Sequence, residues 1–113
     1  MSMAYEPLMK PETRREGFWY SHREPNLPMP FSSVEPWPGK ADFLMALVDR
    51  QLMAEQESYR GWSACRCCDK ANGHLEYYLD GWCWPQGLYH YVNEHNVRPS
   101  LAFQEFIIGK RIE

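Results

Sequence analysis

Four residues in this chain have the chemistry and the spacing to share one metal ion. Cys65 and Cys68 form a C-x-x-C turn, and 21 residues later His90 and His95 form an H-x4-H pair. A C-x-x-C turn lets two thiolates converge on one ion while backbone N–H groups neutralise their charge. Two thiolates with two imidazoles is the donor set of a closed structural zinc site. The spacing therefore predicts one structural Zn2+ held by Cys65, Cys68, His90 and His95. The histidine pair carries a geometric objection. On a straight helix, residues five apart point about 140° from each other, against about 40° for residues four apart. The pair becomes workable if the helix tightens or ends at His95, which Asn96 permits by adopting the left-handed conformation that closes helices.

Other combinations compete. Cys67 could replace Cys68, although Cys65 with Cys67 would be an unusually tight pair. A rival set is Cys65, Cys68, His74 and Cys83, spaced C-x2-C-x5-H-x8-C, close to a zinc knuckle. Cys83 lies between Trp82 and Trp84, where a small buried hydrophobe is the simpler reading. The plainest alternative is two unrelated histidines beside a reduced cysteine cluster. His74-Leu-Glu76 is an H-x-E that, with C-x-x-C, resembles zinc deaminases, but the order is reversed and the motifs lie only five residues apart. Glu94 could act as a base if one ligand position were open to water, yet His95 as fourth ligand closes the site. No Gly-rich phosphate loop, nucleophile elbow or paired-carboxylate pattern is present.

The elements that must position these residues can be read from periodicity and turn chemistry. Residues 59–64 and 74–79 and the run from Trp82 to Trp84 read as short strands, with turn signals at Asn72-Gly73 and Asp80-Gly81. Pro85 can start a helix without losing a needed donor, and that helix runs to about His95 with Leu88, Tyr91 and Val92 inside. Upstream, Phe43, Leu44, Leu47, Val48 and Leu52 recur at helical spacing, so a helix spans 41 to about 57, with Met45 and Met53 as core filler. Ser100 is a good N-cap for a last helix bearing Leu101, Phe103, Phe106 and Ile107, stopped by Gly109. Residues 1–40 hold seven of the nine prolines and read as an extended aromatic arm, with a short strand at 17–21.

Composition bounds the rest. A chain of 113 residues, 44 % hydrophobic and 15 % aromatic, is one domain with a marginal core that a metal would staple. The net charge of −3 falls wholly within residues 41–58, where Arg50 faces Asp42, Asp49, Glu55 and Glu57. No segment has the basic footprint of a nucleic-acid reader, so nucleic acid is not the expected partner. No apolar run reaches the ~18–20 residues of a membrane span. The start M-S-M-A-Y-E-P lacks a basic n-region and an apolar h-region, so a cytoplasmic location is expected, with the cysteines as ligands or free thiols.

The motifs Y-R-G-W-S-A-C-R-C-C, N-G-H-L-E and W-P-Q-G-L-Y-H-Y-V-N-E-H-N-V-R-P resemble a family of small, uncharacterised bacterial zinc-binding proteins. That family has the pattern C-R-x-C…N-G-x-x-E…W-P-x-G-L-x-H-Y-V-x-x-H, and the likeness covers about 59–106. The segment F-W-Y-S-H-R-E-P-N-L-P-x-P at 18–30 is also similar. The resemblance implies Cys65, Cys68, His90 and His95 as ligands, leaves Cys67 incidental, and carries no activity.

The expected fold is α+β: a zinc-stapled β-hairpin plus helix, treble-clef or finger-like, with two flanking helices in a domain over 41–113 and a Pro-rich N-terminal arm over 1–40. The expected function is a protein- or peptide-interaction module. Its candidate contact rings are Tyr77, Trp82 and Trp84 on the hairpin and Trp19, Tyr20 and Trp37 on the arm, unless most of them are core. The alternative is an enzyme or small-molecule binder that uses the same aromatics as a pocket.

Overall fold

A computed structural model describes residues 7–21, 23–58 and 62–112 of the chain. Seven elements follow in order: β1 (Arg14–Arg15), α1 (Lys40–Met53), β2 (Glu55–Ser58), β3 (Leu75–Leu79), β4 (Trp82–Pro85), α2 (Leu88–His95) and α3 (Leu101–Ile108). The architecture is mixed α+β. The strands form one sheet in the order β1-β4-β3-β2, antiparallel except for the parallel β1–β4 pair. None of the described helices is long and apolar enough to cross a membrane.

The β3–β4 hairpin closes as its turn residues require. Asp80 and Gly81 both have positive φ, 49° and 86°, the conformation of a two-residue turn whose twist matches the strands it joins. Alternation along β3 and β4 then divides the side chains between two faces. Tyr77, Trp82 and Trp84 enter the main core with Phe43, Leu47, Leu88, Val92, Phe103 and Ile107. Trp84 is fully buried, and its Nε1 donates to Gln51 Oε1 at 3.1 Å. Tyr77, Trp82, Trp84 and Trp37 are thus core residues and not the contact surface expected of them. Of that set, only Tyr20 is exposed. Large apolar rings on a sheet 4 strands wide need the cover of α1 and α3 to leave water.

Several local expectations are corrected. The helix read over 41–57 stops at Met53, because Ala54 turns extended (ψ 151°) and Glu55–Ser58 pairs with β3. Glu and Gln favour helices, but here the unpaired backbone edge of β3 captures them, and their exposed polar side chains suit an outer strand. Val48 and Leu52 are exposed with Met45 and Met53, since only one face of α1 meets the core. Pro85 ends β4 and does not start a helix. It is tolerated there because β1 pairs only with Trp82 and Cys83, leaving no ladder donor to lose beside Pro85. Residues 17–21 form no strand, and the N-terminal pairing occurs instead at Arg14 and Arg15. The strand read at 59–64 lies partly outside the described residues, and within 62–64 only Ala64 pairs, in an isolated bridge to Ala71.

Two expectations hold in detail. Ser100 caps α3 by accepting from Phe103 N, and Gly109 ends it in the left-handed region. Glu16 reaches the same cap, its carboxylate accepting from Ser100 N and Oγ at 3.0 and 2.8 Å. The N-terminal region is tied again where Ser32 bridges Val97 and where Asn96 Nδ2 donates to the carbonyls of Ser33 and Glu35.

Candidate metal centre

Cys65 and Cys68 sit on a small hairpin that the backbone closes by itself. Ser63 N donates to Gly73 O, Asn72 N to Ser63 O, and Cys65 N to Lys70 O, all at 2.8–2.9 Å. Its tip turns through residues 66–68, and Asp69 (φ 61°) completes the reversal with a bond from its N–H to Cys65 O at 2.9 Å. The reversal therefore comes at the cysteines themselves. Asn72-Gly73, read from sequence as a turn, is where the hairpin leaves for β3. Within the tip, Cys67 N donates to Cys65 Sγ at 3.3 Å. That bond points a backbone N–H at the sulfur, the arrangement found around metal-bound cysteines in C-x-x-C turns.

The hairpin docks on the start of α2 through a close fit. Asn72 is buried and donates from Nδ2 to Gly87 O at 3.3 Å. A Cβ on Gly87 would lie 2.5 Å from the Asn72 amide, so only glycine lets the two backbones approach this closely. His74 N donates to Gln86 Oε1 at 3.0 Å on the same seam. Tyr91 adds a third tie: its hydroxyl accepts from Arg66 N at 2.8 Å, and burial pushes its pKa up to about 12, so it stays protonated.

On α2 the objection to His90 and His95 is resolved at the helix end. Asn96 is left-handed (φ 52°, ψ 34°), and its N–H bonds to Tyr91 O five residues back. A turn closed over five residues is wider than an α turn, so positions five apart swing toward a common side. The helix therefore ends at His95, and its last turn widens instead of tightening. The two Nε2 atoms lie 3.2 Å apart. Cys68 Sγ is 3.4 Å from His90 Nε2. A tetrahedral ion with bonds of about 2.05 Å to nitrogen and 2.3 Å to sulfur needs N···N near 3.3 Å and S···N near 3.5 Å. The observed spacings match.

The ligand atoms of Cys65, Cys68, His90 and His95 all lie within 4.8 Å of one another, close enough to hold a metal ion. Cys65 is fully buried and the other three are half-buried. Burial, and then the neighbouring His95, hold the pKa of His90 below its ordinary value and favour the neutral imidazole that can ligate. Trp19 covers the cluster, its ring edge-on to Tyr91 at 6.0 Å.

The competing candidates are placed elsewhere. Cys67 is exposed. Cys83 is buried on the sheet, where burial pushes its thiol up to about 12. His74 packs its ring against Trp62 at 4.5 Å. Among the described residues neither His74 nor Cys83 joins a metal-holding group, which removes the knuckle set. Glu76 accepts from the Tyr78 hydroxyl at 2.5 Å, and Glu94 is exposed beside Asn93, so neither stands over the cluster as a base.

Reasoning from sequence missed the N-terminal residues around this centre. Arg66 Nε donates to Tyr20 O at 2.7 Å, and Arg15 forms a bidentate pair with Glu24 at 2.7 and 2.9 Å. These contacts join positions 46 and 9 apart, and no local pattern announces them. A scan against protein-family models finds no match, and neither a search of curated proteins nor one of solved structures returns one.

Proposed function

We propose that this chain is a zinc-stapled binding module of the treble-clef or finger-like kind, working in the reducing cytoplasm on a protein or peptide partner. Convergence of four protein donors within 4.8 Å carries this reading. Two sulfurs and two imidazole nitrogens fill a tetrahedral shell and leave no open position for a substrate or an activated water, so the ion is structural. Sulfur donors and tetrahedral spacing favour zinc over magnesium or calcium, which prefer oxygen ligands. The likeness of the surrounding motifs to a small bacterial zinc-binding family points to the same four residues. The metal joins the Cys65–Cys68 hairpin to the end of α2, and so fixes the surface around both.

The test is metal content and its structural consequence. Protein purified without added metal should carry about one zinc per chain, and Cys65→Ser or His90→Ala should lose it. A metal-free preparation with unchanged circular dichroism and melting temperature sinks the proposal. A second reading, a small-molecule binder with the same structural zinc, is favoured by one observation: a cleft of about 480 Å³ opens beside Glu76.

A further inference from the structure

The β3–β4 hairpin turns its aromatic side to the main core and a second, largely buried side toward the N-terminal segment. Glu76, Tyr78, Cys83 and Pro85 share that second side, and the parallel pairing places Arg15 beside Cys83. Glu76 and Pro85 belong to the lining of the 480 Å³ cleft, which is walled by the N-terminal segment and by the metal-bearing hairpin. A volume of that order suits a compact ligand.

The charges in the cleft are unbalanced against those of the chain. Arg15, Arg23 and Arg66 line it, with only Glu24 and Glu76 as carboxylates, in a protein of net charge −3. Glu24 is engaged by Arg15, whose guanidinium also lies 4.2 Å over the Phe18 ring. Glu76 accepts from the Tyr78 hydroxyl and keeps its charge, so the cleft retains a net excess of one guanidinium. Arg66 is held in place by the backbone carbonyls of Tyr20 and Ala64, which fix its position without cancelling its charge. Among the described residues the one ion pair is Arg15–Glu24, so Arg23 and Arg66 keep guanidinium charge free for an anion.

The apolar part of the lining is equally specific. Trp62 is 67 % exposed, yet its indole is held against His74. A large ring kept in water and braced from behind is a stacking platform. Trp19 also lines the cleft, and its buried Nε1 has no acceptor among the described residues. Native proteins seldom leave such a donor unmatched.

We infer that this cleft binds a planar ring carrying an anionic group, a carboxylate or a phosphate. The ring stacks on Trp62, and Arg23 and Arg66 take the anion. Such chemistry comes either from the aromatic C-terminal residue of a peptide or from a free aromatic acid or nucleotide. The inference rests on the structural-zinc reading in one respect: Arg66 lies between the two cysteine ligands and its N–H is bonded to Tyr91, so the staple sets that wall.

The test uses the full zinc-loaded chain and tryptophan fluorescence or calorimetry. Probes are a short peptide ending in a free tyrosine carboxylate, N-acetyl-tyrosine and adenosine monophosphate. Controls are N-acetyl-tyrosinamide, adenosine and inorganic phosphate. At least one charged-ring probe should saturate, with its uncharged or ringless half at least tenfold weaker. Arg23→Ala and Trp62→Ala, both at exposed positions, should each weaken that probe tenfold or more while zinc content and circular dichroism stay unchanged. Tighter binding of the peptide than of N-acetyl-tyrosine identifies a peptide source, and binding of the nucleotide alone identifies a small molecule. No saturation by any charged ring at millimolar concentration, or undiminished binding by both variants, overturns the inference with the zinc reading intact. A zinc-free chain that stays folded and binds equally well removes the staple reading and leaves the cleft standing.

Discussion

The two apolar clusters of this protein differ in size and in the chemistry of their residues. The larger one gathers Trp37, Phe43, Tyr77, Trp82, Trp84 and Phe103 with aliphatic residues from all three helices. Several of its rings meet edge to face, as Trp82 and Trp84 do on Phe103 at 5.1 and 5.5 Å. The smaller one consists of Cys65, Tyr91 and Val97, with Trp19 and Cys68 packed against it. Apolar burial can sustain the first cluster at roughly 25 cal/mol per Å². The second buries only three residues, and the donor atoms of Cys65, Cys68, His90 and His95 gather within 4.8 Å of one another at its side. One end of the molecule is held by hydrophobic packing; at the other, four donor side chains lie close enough to hold a metal ion.

The most forceful way to break this comparison is to remove the zinc proposed above. Structural zinc contributes on the order of 10 kcal/mol to small folds, which rivals the net stability of a domain. A chelator should strip amide protection first from 62–74 and from the last turn of α2, with α1 and α3 following or retaining partial protection. Simultaneous loss in α1 and the hairpin would show that the clusters are one cooperative unit. Alkylation gives a second readout. With metal bound only Cys67 should label readily, because Cys83 is buried with its thiol near 12. After chelation Cys65 and Cys68 should label too.

The reverse attack is on the packed end. Trp84→Ala should cost about 3–5 kcal/mol, since it empties a fully buried site and orphans Gln51. Zinc should still bind the folded fraction stoichiometrically. Gly87→Ala targets the seam between the clusters. Its methyl would sit 2.5 Å from the Asn72 amide and should cost about 1–3 kcal/mol, together with weaker zinc retention in chelator competition.

Smaller changes sharpen the contrast without collapsing either end. Ser100→Ala removes the α3 cap and the hydroxyl that Glu16 accepts from, for about 1 kcal/mol in urea unfolding. The Arg15–Glu24 pair should give the smallest effect. The Arg15 hydrogen bond holds the Glu24 pKa below its ordinary value, so its stabilisation is present above the unfolded pKa and fades as pH falls through the folded one. Both side chains are partly exposed, at 34 % and 44 %, and solvent screening limits the effect to about 0.5 kcal/mol or less. It should vanish in Glu24→Gln and in high salt.

Local chemistry made much of this molecule legible. The C-x-x-C turn, the Asp80-Gly81 reversal, the left-handed Asn96 and the Ser100 cap each follow from what single side chains and backbones prefer, and each stands in the structure. Local spacing pairs Cys65 with Cys68 in a tight turn and sets His90 and His95 on one short helix, and the docking of that hairpin on α2 brings the two pairs together. Reading failed where a distant partner decides. Glu55–Ser58 is helical by propensity and a strand by pairing with β3. Tyr77, Trp82 and Trp84 became core because α1 and α3 cover that face of the sheet, and periodicity within a hairpin cannot say which face will be covered.

By itself, then, the sequence determined the donor set, the turns and caps, and the existence of three helices and a hairpin, all of which depend on residues within a few positions of each other. Only the tertiary structure decided that the last turn of α2 widens to bring His90 and His95 within 3.2 Å. It alone placed Arg15, Arg23 and Arg66 around one cleft, and it alone drew 55–58 out of the helix. Each of these depends on contacts between segments far apart in the chain, whose free energy no local pattern encodes.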